Sequence, residues 1–391
     1  MLNISEESQS LFVYTQSLRR DFHRHPELGF QEFRTAGIVA RELNALGLEV
    51  TTGVGKTGVV AMLEGSHPGP VVLLRFDMDA LPILEATGAE YASENPGVMH
   101  ACGHDGHTAI GLTVARMLYK KKDQWAGTVK FVFQPAEEGL GGAEAMINDG
   151  ILSDPRPQVN LALHLWNDKP VGWLGIAPGP VMAASEIFTI RIQGKGGHGA
   201  APHTTIDPVL TAAQVVNALQ GIVSRNVPPL ESAVVSTTMI HGGDAFNVIP
   251  QAVELKGTIR TFLPEVRRIV LDRFDQIING VTQTFNCQVE IDVKSITPAV
   301  VNDRDITNRV RYVADSLKLG TEMPENYSTM GSEDMAFFMT EIPSCYFFVG
   351  SSNAEKGLNY SHHHPKFDVD ETALSRGAAL MTAAALEFLQ E

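Results

Sequence analysis

The sequence predicts an α/β protein in two parts: a mostly parallel-sheet domain formed by residues 1–183 and 297–391, and an α+β domain inserted at 184–296. Three observations predict it. The 391 residues exceed the ~250–300 at which a single core usually stops growing. Helix and strand patterns alternate through the first third and return after residue 296, as in chains that build parallel sheets. Between those stretches the order is β-α-β-β-α-β, the split βαβ pattern of a compact ferredoxin-like unit.

In the first part, residues 6–24 and 31–46 place apolar side chains at helical spacing, and Gly47 stands where the second helix needs a left-handed residue to end. Residues 59–64 and 71–76 are short apolar or β-branched runs bounded by Gly and Pro, the pattern of buried strands. A helix follows over 108–121, then strands over 128–134 and 160–165. The inserted part reads as strand 186–193, helix 207–223, strands 233–240 and 252–260, helix 265–284 and strand 287–293. Helix 304–318, strand 344–349 and an Ala-rich helix over 371–389 complete the first domain. No internal repeat or low-complexity segment interrupts this order.

Composition narrows the function. With 44% hydrophobic and 19% charged residues the chain has ample core and is not a disordered polymer. A net charge of −15, with no basic run longer than Lys120-Lys121-Lys122, repels phosphate backbones and anionic lipid. Nucleic acid and membrane are therefore not expected partners, and an anionic substrate needs a local cationic pocket. No apolar run reaches the ~18–20 residues that span a bilayer, and residues 1–10 lack the pattern of a secretory leader. Cys102, Cys287 and Cys345 are too few and too scattered for a disulfide framework, so the expected location is cytoplasmic.

Five stretches carry chemistry. His100-Ala-Cys102-Gly-His104-Asp105-Gly-His107 packs a thiol, imidazoles and a carboxylate into eight residues before a helix, a density that favours a zinc-like metal over incidental surface histidines. Gln134-Pro-Ala-Glu137-Glu138-Gly139 follows an apolar strand, where functional groups of parallel sheets collect. Adjacent carboxylates repel unless a cation lies between them, which suggests that one binds metal while the other handles a proton. His164 sits inside an apolar strand; Tyr360-Ser-His362-His363-His364-Pro365 offers three histidines of which one would serve. Arg75-Phe-Asp77-Met-Asp79 ends a buried strand with two acids that need partners, such as a metal-bound imidazole. Together these supply ligands for more than one ion.

These stretches, with His23-Arg-His25-Pro-Glu27-Leu-Gly29, Gly196-Gly-His198-Gly-Ala-Ala-Pro-His203, Gly243-Asp-Ala-Phe-Asn247-Val-Ile-Pro250, Gly331-Ser-Glu-Asp334 and His363-His-Pro-Lys-Phe367, resemble the amidohydrolase branch of the M20 metallopeptidase clan, in the family's order and over nearly the whole chain. The resemblance implies a metallohydrolase domain with an inserted lid and dimerisation domain. It implies two divalent ions, zinc or manganese, with cobalt or nickel as further candidates. Cys102 would bridge them, and His104, Glu138, His164 and His363 would complete the sites. Glu137 would be the general base and Asp79 the carboxylate that orients a ligand; Asp77 stands where the wider clan has a histidine. His198 would polarise the scissile carbonyl, in the clan often from a partner subunit, and Asn247 and Arg260 would hold the substrate's α-carboxylate. The implied substrate is a small N-acyl amino acid and the implied assembly a homodimer. A carboxypeptidase or dipeptidase is the nearest alternative; a metal-dependent binding protein fits less well, because binding does not need Glu137.

Overall fold

The computed structural model describes residues 2–389 and divides into two compact units: residues 2–181, 301–327 and 333–389, and residues 182–300 with 328–332. The first is built on a seven-stranded sheet in the order Glu49–Val54, Gly58–Glu64, Thr128–Gln134, Val71–Asp77, Val159–Pro170, Ser344–Ser352 and Leu174–Gly175. Its four central strands run parallel, through the pairings of Val71–Asp77 with Thr128–Gln134 and Val159–Pro170, and of Val159–Pro170 with Ser344–Ser352. They are buried almost end to end, as expected of strands covered by helices on both faces.

The outer strands join antiparallel. Glu49–Val54, which sequence periodicity does not reveal, pairs with Gly58–Glu64 through a turn with Gly55 and Lys56 at φ 60° and 78°. Most of its side chains are exposed, so it carries no buried alternation to read. The helix expected from Thr108 begins earlier and spans His104–Lys120, entered through Gly103 at φ 95°. His104 and His107 therefore lie one turn apart on a single helix face.

The helix Phe12–Arg24, packed on the helices His104–Lys120 and Thr372–Phe388, carries a fully buried cation. Arg19 donates from Nε to Asp105 Oδ2 at 2.8 Å and from Nη2 to Asp368 Oδ1 at 2.7 Å, with Glu371 Oε1 3.4 Å from Nη1. His23 Nδ1 lies 2.7 Å from the same Asp105 oxygen. Burial alone would raise the Asp105 pKa, but Arg19 and His23 outweigh it and hold the carboxyl well below the usual range. Replacing Arg19 by Met takes the shared cation from three buried carboxylates, Asp105, Asp368 and Glu371, and we expect a loss of about 3–5 kcal/mol in urea unfolding. A loss under about 1 kcal/mol would mean the acids find other donors.

The second unit is a four-stranded antiparallel sheet in the order Ala233–His241, Ala252–Thr261, Ala184–Gln193 and Gln288–Thr297. In chain order that is strands 2-3-1-4, the ferredoxin-like arrangement. Helices Pro208–Arg225 and Pro264–Thr284 cover one face, packing Val215, Leu219, Val270 and Phe274 on Phe188, Ile190 and Leu255. Asp207 caps the first of them, accepting from the Val209 and Leu210 amides, with Pro208 at its first position. A two-stranded ribbon, Gly197–His198 with Val248–Ile249, adds to the predicted order. Among the described residues no helix is long and apolar enough to cross a membrane.

Candidate metal centre and active site

The carboxyl ends of the central strands converge on one acidic cluster in the first unit. Val71–Asp77 delivers Asp77 and, just beyond it, Asp79; Thr128–Gln134 leads into Glu137 and Glu138; Val159–Pro170 carries His164. Gly106 lets the helix His104–Lys120 press onto the strand of His164: a Cβ there would meet Leu165 Cδ1 at 2.5 Å. This close approach is the physical reason for a glycine between His104 and His107.

Hydrogen bonds sort the imidazoles. His104 Nδ1 is 2.9 Å from the Asp79 carbonyl oxygen and 3.2 Å from its Oδ1, so it is the donor nitrogen; Nε2, fully buried, has no partner. His164 Nδ1 donates to the Leu165 carbonyl at 2.7 Å, leaving Nε2 facing Cys102 Sγ at 3.5 Å. His107 differs: its Nε2 accepts from the Leu165 amide at 2.9 Å and its Nδ1 donates to Asp77 Oδ1 at 2.6 Å. The other oxygen of Asp77 accepts from Arg75 Nη1 at 2.6 Å. Asp77, His104 and His107 are close enough together to suggest a metal site, but His107 has no lone pair to spare for one, and both Asp77 oxygens already accept hydrogen bonds.

The three histidines after Tyr360 separate in the same way. His362 Nε2 donates to the Leu165 carbonyl at 3.0 Å and its ring packs on Trp166 and Phe367. His364 Nδ1 accepts from the Lys366 amide and its ring stacks on Tyr360. His363, turned by a left-handed backbone at φ 64°, puts Nε2 3.2 Å from Glu138 Oε1. A non-glycine residue held there costs of order 1–3 kcal/mol, and such strain gathers at functional sites.

The result is two overlapping donor groups, Cys102–His104–His164 and Cys102–Glu138–His363, each with ligand atoms within 4.8 Å of one another. Ligand atoms sharing one tetrahedral ion, with bonds of ~2.0–2.3 Å, stand roughly 3.3–3.6 Å apart; the 3.5 Å separation of Cys102 and His164 falls in that range and the 3.2 Å of His363 and Glu138 just below it. Charge agrees with geometry. Burial pushes the Cys102 thiol well up, and Glu138, Glu137 and Asp77 push it further, so a thiolate there requires a cation. Burial lowers the His104 pKa, yet Asp77, Asp79 and Glu138 raise it to about 10: the pocket draws positive charge. Burial and neighbouring imidazoles keep His164 neutral, as a ligand must be. The residues fit a pair of divalent cations.

Glu137 is buried beside this set, its carboxyl group within 4.8 Å of the His104 and Glu138 donor atoms. Burial, then Glu333, Glu138 and Asp334, raise its pKa well above the usual range. Asp79 reaches both sides of the cluster, meeting His104 through Oδ1 and accepting the Glu138 amide on Oδ2 at 3.0 Å.

The other three predicted site residues lie in the second unit. His198 and Asn247 come together on the short ribbon, where His198 pairs with Val248 and Gly199 donates to the Asn247 carbonyl at 2.8 Å. His198 is exposed, with Nδ1 accepting from the Ala200 amide. Arg260 is on the strand Ala252–Thr261 and donates to Ser332 Oγ at 2.9 Å. Burial lowers its pKa, offset in part by Glu186, a carboxylate that is itself bonded to Arg267. Glu333, Asp334 and Arg75, the arginine they surround, carry no local sequence signal of a shared role beyond the family resemblance of Gly331-Ser-Glu-Asp334.

Comparison with known proteins decides the family. The model of peptidase family M20/M25/M40 matches residues 73–387. The chain belongs to the M20 peptidase family. Among M20 relatives it is similar to a putative amidohydrolase, YhaA, of Bacillus subtilis (42% identity over 99% of this chain and 98% of that one) and to N-acetyl-L-cysteine deacetylase of the same organism (39%, over 100% and 92%). It is equally similar to thermostable carboxypeptidase 1 of Saccharolobus solfataricus (40%, over 95% and 94%). Among solved structures, the Bacillus subtilis YXEP protein, described as a dinuclear metal binding peptidase from the M20 family, matches with a TM-score of 0.85 at 34% identity, over 97% of this chain and 99% of that one. This M20 chain is a metal-dependent amide hydrolase.

Proposed function

We propose that the chain cleaves the amide bond of small N-acyl amino acids, releasing a carboxylic acid and a free amino acid. The observation that carries this reading is the Glu137 carboxyl group, buried against the donor cluster and set apart from it by a raised pKa. Cys102, His104, Glu138, His164 and His363 would hold two divalent ions, zinc or manganese, with cobalt or nickel also able to serve such ligands. When bound, the ions supply a water of lowered pKa and Lewis acidity toward the acyl oxygen.

The chain's own groups do the rest. Glu137 Oε1 accepts the Asp334 amide at 3.3 Å, which leaves Oε2 to take a proton from water as it adds to the acyl carbon. The same carboxyl group returns that proton to the amine nitrogen as the C–N bond breaks, so water is added across the amide. Asp79 keeps His104 in the tautomer that frees Nε2 and holds the Glu138 amide in place. His198 would donate to the developing oxyanion, and Asn247 with Arg260 would take the α-carboxylate, for which a guanidinium offers a bidentate fork. A homodimer through the second unit, with His198 serving its own or its partner's site, belongs to the same proposal. So does a cytoplasmic location, supported by three free thiols.

The carboxypeptidase relative favours a second reading, in which unblocked peptides are the substrates. A panel separates them: N-acetyl, N-benzoyl and indole-acetyl amino acids beside plain dipeptides, offered to metal-stripped enzyme with zinc or manganese added back. We expect metal-restored cleavage of at least one N-acyl class, in preference to the plain dipeptides. Cleavage of dipeptides alone would replace the amidohydrolase reading by the peptidase one.

A further inference from the structure

Arg75 is fully buried and does not touch the donor cluster, yet four side chains around that cluster are bonded to it. Its Nε donates to Gln134 Oε1 at 2.8 Å, its Nη1 to Asp77 Oδ2 at 2.6 Å, and its Nη2 to Glu333 Oε1 at 2.9 Å and Asp334 Oδ1 at 3.1 Å. Both distant acids are pinned further. Glu333 accepts from the Tyr346 hydroxyl at 2.9 Å and the Met335 amide at 2.9 Å; Asp334 accepts from Gln134 Nε2 at 2.7 Å and the Ala143 amide at 2.9 Å. With both carboxylates turned onto Arg75, the backbone amide between them is left facing Glu137, where it donates to Oε1.

We propose that Arg75, Gln134, Glu333 and Asp334 form a positioning cluster for Glu137: they aim the Asp334 amide so that one oxygen of the Glu137 carboxyl group is held and the other is presented to water. Three carboxyl groups, those of Glu137, Glu333 and Asp334, have oxygens within 4.8 Å of one another. They could pass for a third metal site, but the guanidinium already lies against two of them and every Asp334 oxygen is bonded. The cluster is therefore a structural device for the base and not a ligand set. Through Asp77 and His107 the same arginine also reaches the Leu165 amide, next to His164. Base and ligand strand thus share one anchor.

The inference rests on the role proposed for Glu137, and the test keeps the two apart. Asp334→Asn retains the volume but turns a donor toward either Ala143 or Gln134, so the 333–334 turn must shift. A displacement of about 1 Å at a catalytic group is enough to cost up to roughly 100-fold in rate. We expect kcat to fall 10- to 100-fold with KM changed less than about 3-fold and metal content by elemental analysis unchanged. In the Glu137→Gln background the same substitution should add no further loss, because its effect runs through the missing carboxyl group. Gln134→Met, which removes one bond to each partner, should show the same pattern more weakly and serves if Asp334→Asn does not fold. Full activity in both variants, loss of metal, or a further multiplicative loss in the Glu137→Gln background would overturn the cluster's role. A fully active Glu137→Gln enzyme would instead remove the reading on which it rests.

Discussion

Glu137→Gln should lower kcat on the order of 10³-fold or more while leaving metal content intact. Positioned proton transfer contributes ~10²–10⁴-fold, and here one carboxyl group serves both the attacking water and the leaving amine. The amide keeps the shape and still accepts the Asp334 N–H through its carbonyl oxygen, so the local backbone has no reason to move. Stability gives a second readout. Glu137 has its pKa raised in the folded state, so the folded protein binds its proton more tightly than the unfolded chain does. Stability from this group is therefore full below the unfolded value of ~4.3 and is lost as pH rises from there through the raised folded value, so at neutral pH the carboxyl group costs stability relative to a neutral isostere. The metal-stripped Gln variant should melt at the same temperature as the parent or higher. Near-normal turnover would remove Glu137 from the mechanism, and loss of an ion would make it a ligand.

Cys102→Ala should abolish tight binding at both metal positions and, with it, turnover. Cys102 Sγ belongs to both donor groups, whereas His363 belongs to one. The two substitutions are therefore expected to differ: elemental analysis should find neither ion in Cys102→Ala and one retained in His363→Ala. A ligand that binds only the folded state stabilises it by about 2.7 kcal/mol at 100 times its Kd, so added zinc should raise the melting temperature of the parent and not that of Cys102→Ala. Without metal the two proteins should melt within a few degrees of each other, because burial and three carboxylates already keep the thiol uncharged. A Cys102→Ala protein that still holds both ions would show that the sulfur is not the shared ligand.

Much of this was legible before any fold was known. Buried parallel strands announce themselves as unbroken apolar runs, and a site at their carboxyl ends follows from topology, so the cluster around Cys102 and the Glu137-Glu138 pair stand out by position and chemistry, whereas the roles of His164 and of each glutamate are implied by the family resemblance alone. The β-α-β-β-α-β order led to the right sheet for the inserted unit because each of its elements has a clean period. Glu49–Val54 escaped because an exposed edge strand has no buried face to read.

What the sequence by itself determined is the supply of groups: which donors the chain carries, on which elements, and in which order. Only the tertiary structure decided which of them are free. His104 and His107 are alike in sequence, yet one presents an unpartnered nitrogen and the other has both engaged. His362, His363 and His364 are neighbours, yet a left-handed turn sends one of them to Glu138. Arg75 meets Glu333 across 258 positions of chain, which no local pattern records. The reason is common to all three. A lone pair or a charge is available only if no neighbour has claimed it, and those neighbours are assembled by the fold.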